Sequence, residues 1–344
     1  MKHPLHKFKL HRRRSTGDRG KRQKILRVTV IACALAGAFQ ATELRASENV
    51  PHAPFAEWAD ILREDELLLS FTYQESEAYY IWDGTGTRHN VDWQQNGEHY
   101  GIDINQGYFT FQYGINENWT ADASVGFTAL GWRYFANFST NGESQSTTSL
   151  MDASFGVRYQ ILREDENSRW QPTLTFRAGA VLPGRFNEHF PFAPGVSSTA
   201  IEPEFLLRKH FGWQGLGFYA DGLFRWNHTS GNDQYIVSCG LFQHIKQWEL
   251  DVGYRHLQSI SGDDIVFDPV TRIINYPRAV RENNDSIEAG FTYTTKKNLR
   301  VGFYSRTVFD GVNSDKNFWV GGMVTIPLRQ GVAAKPTQSA PAAK

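Results

Sequence analysis

The sequence is poor in cysteine, in long apolar runs and in clustered metal-binding side chains. Its 344 residues hold 2 cysteines, Cys33 and Cys239. Cys33 lies in a segment that reads as a removable leader, so the remaining thiol has no intramolecular partner and a disulfide framework is excluded. After Phe39 no apolar run approaches the ~20 residues that a spanning helix needs, which excludes a helical membrane protein. The 11 histidines are dispersed, several of them in the leader, so no metal site is expected. No glycine-rich phosphate loop follows a strand and opens a helix, and no cofactor is expected. Basic charge is scarce outside the head: up to Ala46 there are 12 Lys/Arg against 2 Asp/Glu, and the remainder carries 24 against 34. An acidic body argues against a nucleic-acid partner.

The head has the order of an export signal. Met1 to Lys24 is polar and basic, with Arg12, Arg13 and Arg14 in one run; Val28 to Phe39 is apolar; small residues then offer cleavage after Ala38 or Ala46. The apolar stretch has the length of a signal-peptide core. Residues 1–46 are therefore expected to be a signal peptide. The arginine run lacks the rest of a twin-arginine motif. Val30–Cys33 has the look of a lipoprotein box, but apolar residues continue past Cys33.

The body alternates with the period of a strand. In Trp248–Arg255 one face holds Trp, Leu, Val and Tyr, and the other Glu, Asp, Gly and Arg. Thr173–Leu182, Leu299–Phe309 and Phe318–Leu328 repeat the pattern. About twelve such segments, each long enough to cross a bilayer at a tilt, begin near Asp65, Gly101, Trp119, Thr148, Trp170, Ile201, Leu216, Asp233, Trp248, Ser286, Asn298 and Asn317. Those from Asp65, Gly101 and Asp233 alternate least cleanly. Short connections, such as Asn116–Asn118, His244–Gln247 and Thr295–Lys297, take turns with long ones, such as Tyr79–Tyr100, Phe135–Thr147, Gly184–Ala200 and Leu257–Asn284. A barrel with short periplasmic turns and long outer loops has this rhythm. The expected fold is all-β: an antiparallel transmembrane β-barrel over 65–330. It is preceded by a periplasmic segment, 47–64, in which Phe55–Leu62 suits a short helix, and followed by a disordered tail, 331–344.

A soluble barrel also alternates, but it buries its apolar face. Here the polar faces carry mid-strand charges of both signs, and an Arg facing lipid at mid-depth costs about 2–4 kcal/mol. Arg158, Arg177, Arg208, Arg225, Asp221, Glu249, Asp251, Arg255, Glu288, Arg300 and Arg306 are therefore expected to line a wet lumen, along with Asp122, Asp152, Glu202 and Glu204. They suit either a polar pore lining or paired ladders that seal the barrel. Trp119, Trp170, Trp213 and Trp248 each sit at a short turn, where an indole with one apolar and one wet side fits the membrane interface. Alternation points Trp132 and Trp319 inward.

Catalytic patterns are weak. His228-Thr229-Ser230 has the His-x-Ser form of some barrel lipid hydrolases, but Gly231-Asn232-Asp233 makes the stretch read as a loop. Asp263, Asp264 and Asp268 suit a solvated acidic loop better than a calcium site. The protein is not expected to be an enzyme.

From Met151 onward the sequence resembles the outer-membrane proteins of the phenol meta-pathway family. The resemblance is carried by Asp152–Tyr159 (DASFGVRY), Arg177–Gly184 (RAGAVLPG), Leu206–Phe211 (LLRKHF) and Leu250–Arg255 (LDVGYR). It covers about half of the chain and implies passage of small, often aromatic or otherwise hydrophobic solutes across the outer membrane. The partners implied are the lipid bilayer, that solute and the outer-membrane assembly machinery. The family's terminal aromatic is missing, since the last strand ends near Leu328-Arg329 and a tail follows. The alternative is a non-transporting structural or surface-interaction barrel.

Overall fold

A computed structural model describes residues 56–90, 93–95, 98–100, 102–132, 145–165, 170–185, 198–211, 215–228, 232–268, 270, 274–275, 277 and 280–331. Twelve strands form the wall: β1 (Leu67–Trp82), β2 (Ile102–Asn116), β3 (Trp119–Trp132), β4 (Gln145–Leu150 and Ala153–Leu162), β5 (Thr173–Leu182), β6 (Ala200–His210), β7 (Leu216–Asn227), β8 (Gln234–Ile245), β9 (Trp248–Ser259), β10 (Asn283–Thr294), β11 (Arg300–Val312) and β12 (Asp315–Arg329). Each pairs antiparallel with the next. β12 returns to β1, with Leu68 opposite Pro327 and Ile81 opposite Asp315, so the sheet closes and has no free edge. The expected twelve-stranded barrel is the observed one.

The two ends of the barrel differ. At one end tight turns join β2 to β3, β8 to β9 and β10 to β11, with Lys246 and Asn298 in the left-handed region that such turns require. The other end carries the long connections. Even at that end the connection between β11 and β12 is short, with only Asn313 and Ser314 between the strands. Both pieces of β4 pair with β3. Between them Met151 and Asp152 are both buried, and the Gly184 amide donates to Asp152 Oδ1 at 2.7 Å.

Side chains alternate as a membrane barrel demands. On β9, Leu250 and Val252 are 46% and 51% exposed on the outer wall, whereas Glu249, Asp251 and Arg255 are buried inside. Among exposed residues the outer wall shows Phe71, Phe109 and Phe127 in contact across β1–β3, and Phe291 on Phe303 across β10–β11.

One expectation is corrected. The rule of apolar outside and polar inside reverses on the upper rungs of β1 and β2. Glu75, Glu77 and Asp103 face outward, and Ala78, Ile81, Ile102 and Ile104 face inward. Alternation persists to Ala78 with the polar and apolar rows changed over, and a bulge between Ala78 and Tyr80 then shifts the phase so that Ile81 also faces in, which is why these two segments looked irregular.

The segment before β1 also differs from expectation. It does not lie outside the barrel as a short amphipathic helix. Ala56–Ala59 is one 3-10 turn, and Trp58 and Ala59 pack against Leu206 on the inner wall. Inner-wall groups satisfy the backbone carbonyls that a single helical turn leaves open. Arg158 donates to Trp58 O at 2.7 Å and Thr175 Oγ1 to Ala59 O at 2.6 Å.

Candidate functional site: the barrel interior

The interior divides into two arcs. On β3 to β11 it is charged. Arg177 donates to Asp122 at 2.8 Å through Nη2 and 3.1 Å through Nε, and its Nη1 stands 3.6 Å from both Glu202 and Glu204. The guanidinium lies flat on the wall because Gly156 and Gly179 carry no Cβ, which would come within 2.5 and 2.6 Å of it. Arg158 reaches Asp122 at 3.6 Å and covers the Trp58 ring at 4.1 Å. Arg225 pairs with Glu202 at 2.6 Å. Arg255 on β9 and Arg306 on β11 both approach Glu288 at 4.0 Å. These acids and bases neutralise one another, so the charged arc presents paired ladders more than an unbalanced field.

The remaining sequence-derived lumen residues fall around this arc. Asp251 is buried on the inner wall, and Asp221 lies on its inward row between Tyr219 and Leu223. Toward the short-turn end, Arg208 pairs with Asp60 of the N-terminal segment, and Glu249 with His244 at 2.6 Å. Arg300, half-buried, opens the inward row of β11 at the same end. The structure thus brings together Arg158, Arg177 and Arg225 with their acids, but leaves Arg208 and Arg300 apart from that cluster.

Across the barrel, every inward residue of β12 from Asn317 to Thr325, of β1 from Leu68 to Ala78 and of β2 from Ile102 to Thr110 is uncharged. The arc is graded in height. At the long-loop end Ala78, Ile81, Ile102, Ile104, Leu130 and Trp319 form an apolar cluster that also includes Ile265 and Val280 from the 260–282 connection. Midway, Tyr304 donates to Gln74 Oε1 at 2.7 Å, Gln74 to Gln106 Oε1 at 2.5 Å, and Tyr108 to the same Gln106 oxygen at 2.7 Å. Below them hydroxyls pair: Ser70 with Thr325 at 2.7 Å and Thr110 with Ser124 at 2.6 Å. A neutral hydrogen bond contributes about 1 kcal/mol net, whereas orphaning one member of a buried ion pair costs about 3–5 kcal/mol. The neutral arc is therefore the softer side of the interior.

The connection holding Ile265 is fastened by several hydrogen bonds, among them Gly84 N to Ile265 O at 2.8 Å and Asn232 Nδ2 to Val280 O, and three of them converge on Asn313. Ile265 N donates to Asn313 Oδ1 at 2.7 Å, and Asn313 Nδ2 donates to Asp264 Oδ1 at 2.8 Å and to Arg281 O at 2.9 Å. Asp264 is also bidentate to Arg281 at 2.8 and 2.9 Å. This acidic stretch is engaged in a latch, and among the described residues no group of three or more His, Cys, Asp or Glu is placed to hold a metal. His228 is exposed at the end of β7, and Ser230 lies outside the described residues.

The tryptophans take several positions. Trp119 and Trp248 are on the outer wall at the short-turn end, each with its ring 4.7 Å from a tyrosine, Tyr159 and Tyr293. Trp170 is 82% exposed in the turn before β5. Trp213 and the Trp132 side chain lie outside the described residues. Trp319 is buried inside under Arg306, whose guanidinium lies 5.5 Å from its ring centre. Sequence reasoning passed over Gln74, Gln106, Tyr108 and Tyr304 because it searched the polar faces for charge. An inward row of uncharged polar residues was the available signal.

A family model described as "Putative MetA-pathway of phenol degradation" matches residues 83–317. No curated protein matches in sequence. Among solved structures, an outer membrane channel from Pseudomonas putida F1 shares the fold with a TM-score of 0.63 at 13% identity, over 82% of this chain and 100% of that one. The translocator domain of the autotransporter NalP from Neisseria meningitidis aligns at 0.42 and 13% identity, over 79% and 91% of the two chains. At that level it adds no argument. The match across more than half of the sequence, on an outer-membrane barrel fold, means that the chain belongs to the family of the putative MetA-pathway of phenol degradation.

Proposed function

We propose that the protein is an outer-membrane channel for small solutes that are uncharged and largely apolar. The observation that carries this reading is the inward apolar cluster at the long-loop end, standing above a lumen whose charges are mutually paired. The cluster is packed closed, its members 0–7% exposed; when it parts it offers an apolar solute a dry surface, and a charge-paired interior offers ions little net attraction. The long connections face the outside of the cell and the short turns the periplasm. The precursor loses its leader after Ala38 or Ala46, and the assembly machinery of the outer membrane inserts the barrel.

The test is single-channel conductance and liposome uptake with the refolded mature protein. The expected result is low ionic conductance with measurable uptake of a neutral aromatic solute. Neither conductance nor uptake would point to the second reading, a non-transporting barrel. That reading has its own support in the N-terminal segment, held inside by Arg158, Thr175 and Arg208. Removal of residues 47–62 separates the two: a channel that the segment narrows conducts more without it, and a sealed structural barrel does not.

A further inference from the structure

We infer that solute descends the uncharged arc of β12, β1 and β2, and that the chain Tyr304–Gln74–Gln106–Tyr108 is its constriction. The arc admits neutral molecules that join an apolar body to a hydrogen-bonding group. The inference rests on the channel reading above and names the path and the selection within it.

The first support is vertical order. The arc runs from the apolar cluster around Trp319, through the glutamine–tyrosine chain, to the hydroxyl pairs Ser70–Thr325 and Thr110–Ser124. A solute with an apolar body meets an apolar surface first and hydrogen-bonding groups later. The second support is what blocks the other side. The N-terminal segment's bonds to the wall given by the structure end on Thr120, Arg158, Thr175 and Arg208, all on β3 to β6. The ion pairs of Arg177 and Arg225 brace the wall beside them. The third support is chemical. Each link of the chain joins neutral amides and phenols, so a solute hydroxyl can replace one partner as donor or acceptor without leaving another orphaned. A solute with no polar group would separate the links and satisfy none of them. An ion would shed its water beside inward rows that carry no charge of their own, and Arg306, which lies over Trp319, is turned to Glu288 at 4.0 Å.

The experiment places single cysteines in a Cys239→Ser background. Thr72→Cys and Thr325→Cys lie in the neutral arc; Ser238→Cys and Thr292→Cys lie on inward rows of the charged arc. All four replace small polar residues, and folding is checked by heat-modifiable migration. The probe is a neutral, bilayer-impermeant nitrophenyl glycoside, with nitrophenyl phosphate as its anionic counterpart. The expected result is that a bulky methanethiosulfonate cuts glycoside uptake several-fold at 72 and 325, with little effect at 238 and 292. The unmodified barrel should pass the glycoside several-fold faster than the phosphate. Block at 238 and 292 only, at all four equally, or at none overturns the path while leaving the channel intact. Faster passage of the phosphate overturns the selection. No uptake by the unmodified barrel overturns the channel reading itself, and the inference with it.

Discussion

Arg225 and Glu202 face each other across the β6–β7 seam, 2.6 Å apart, where the backbone ladder is interrupted. Register passes from Ile201 opposite Trp226 directly to Glu204 opposite Leu223. Pro203 sits in the gap and has no N–H to give a rung. The side-chain pair braces the wall where the main chain does not. Both residues are about 3% exposed, so removing Arg225 takes from a buried carboxylate its 2.6 Å partner and leaves it the more distant Arg177, at 3.6 Å. Arg225→Met is expected to lower stability by about 3–5 kcal/mol, and Arg225→Met with Glu202→Met by far less. Urea unfolding of the refolded barrel in lipid vesicles measures both. Equal losses in the single and double variants would mean that the pair contributes through packing and not through charge.

The barrel itself was legible because period and polarity agree along most strands. Trp119, Leu216 and Trp248 open strands in the sequence pattern and in the structure alike. Legibility failed where those two signals part. On β1 the period of two continues, but Glu75 and Glu77 lie outside and Ala78 inside, and no local pattern marks the height at which the outer wall stops needing apolar side chains. Ile265 and Val280 belong to a connection, yet they complete the apolar cluster around Trp319. Only the closed fold brings residues so distant in sequence together. Trp58 was equally hidden, because a short aromatic stretch before a barrel looks the same whether it lies in the periplasm or in the lumen.

The lipid-facing row gives a second prediction. Val252 is on the outer wall and Asp251 inside. Val252→Arg is expected to cost about 2–4 kcal/mol if the residue lies near the bilayer midplane. Spin labels report the faces directly: a label at 250 should respond to oxygen dissolved in lipid, and one at 251 to a water-soluble relaxer. Two labels that both saw water would exclude lipid contact on β9.

Acid sensitivity is expected at the turn between β4 and β5. Burial pushes the Glu164 carboxyl upward. Hydrogen bonds from the His210 ring at 2.8 Å, from Lys209 at 2.9 Å and from the His210 amide at 2.9 Å outweigh it, and hold the pKa below its ordinary value. A depressed folded-state pKa means that the carboxylate stabilises the protein above its unfolded pKa and loses that effect as pH falls through the folded value. Glu164→Gln should therefore be less stable than the native protein near neutrality, with the difference closing at acid pH below the usual carboxylate range. Chemical denaturation across that range gives the curve, and a difference independent of pH would exclude the linkage.

The latch at Asn313 makes the last prediction. Its backbone adopts φ 54°, in the left-handed region, and its side chain closes three hydrogen bonds, to Ile265 N, Asp264 and Arg281 O. Asn tolerates this conformation better than most residues and supplies both a donor and an acceptor. Asn313→Gly keeps the conformation accessible and removes all three bonds. At about 1 kcal/mol each, that is about 3 kcal/mol withdrawn from the closed loop, or on the order of a hundredfold more open population. The loop's apolar hold through Ile265 and Val280 remains, so the barrel should stay folded while 260–282 loosens. Protease added to whole cells should then cut within 260–282 far faster than in the native protein, and the β8–β9 turn on the other side should stay uncut. Asn313→Asp tests the chemistry further: it retains the acceptor for Ile265 N, but it loses the donor and sets a carboxylate beside Asp264, so it should loosen the loop as well. If neither variant changes the cutting rate, the apolar contacts and the bonds from Gly84 to Ile265 O and from Asn232 to Val280 O hold the loop, and Asn313 serves only the turn between β11 and β12.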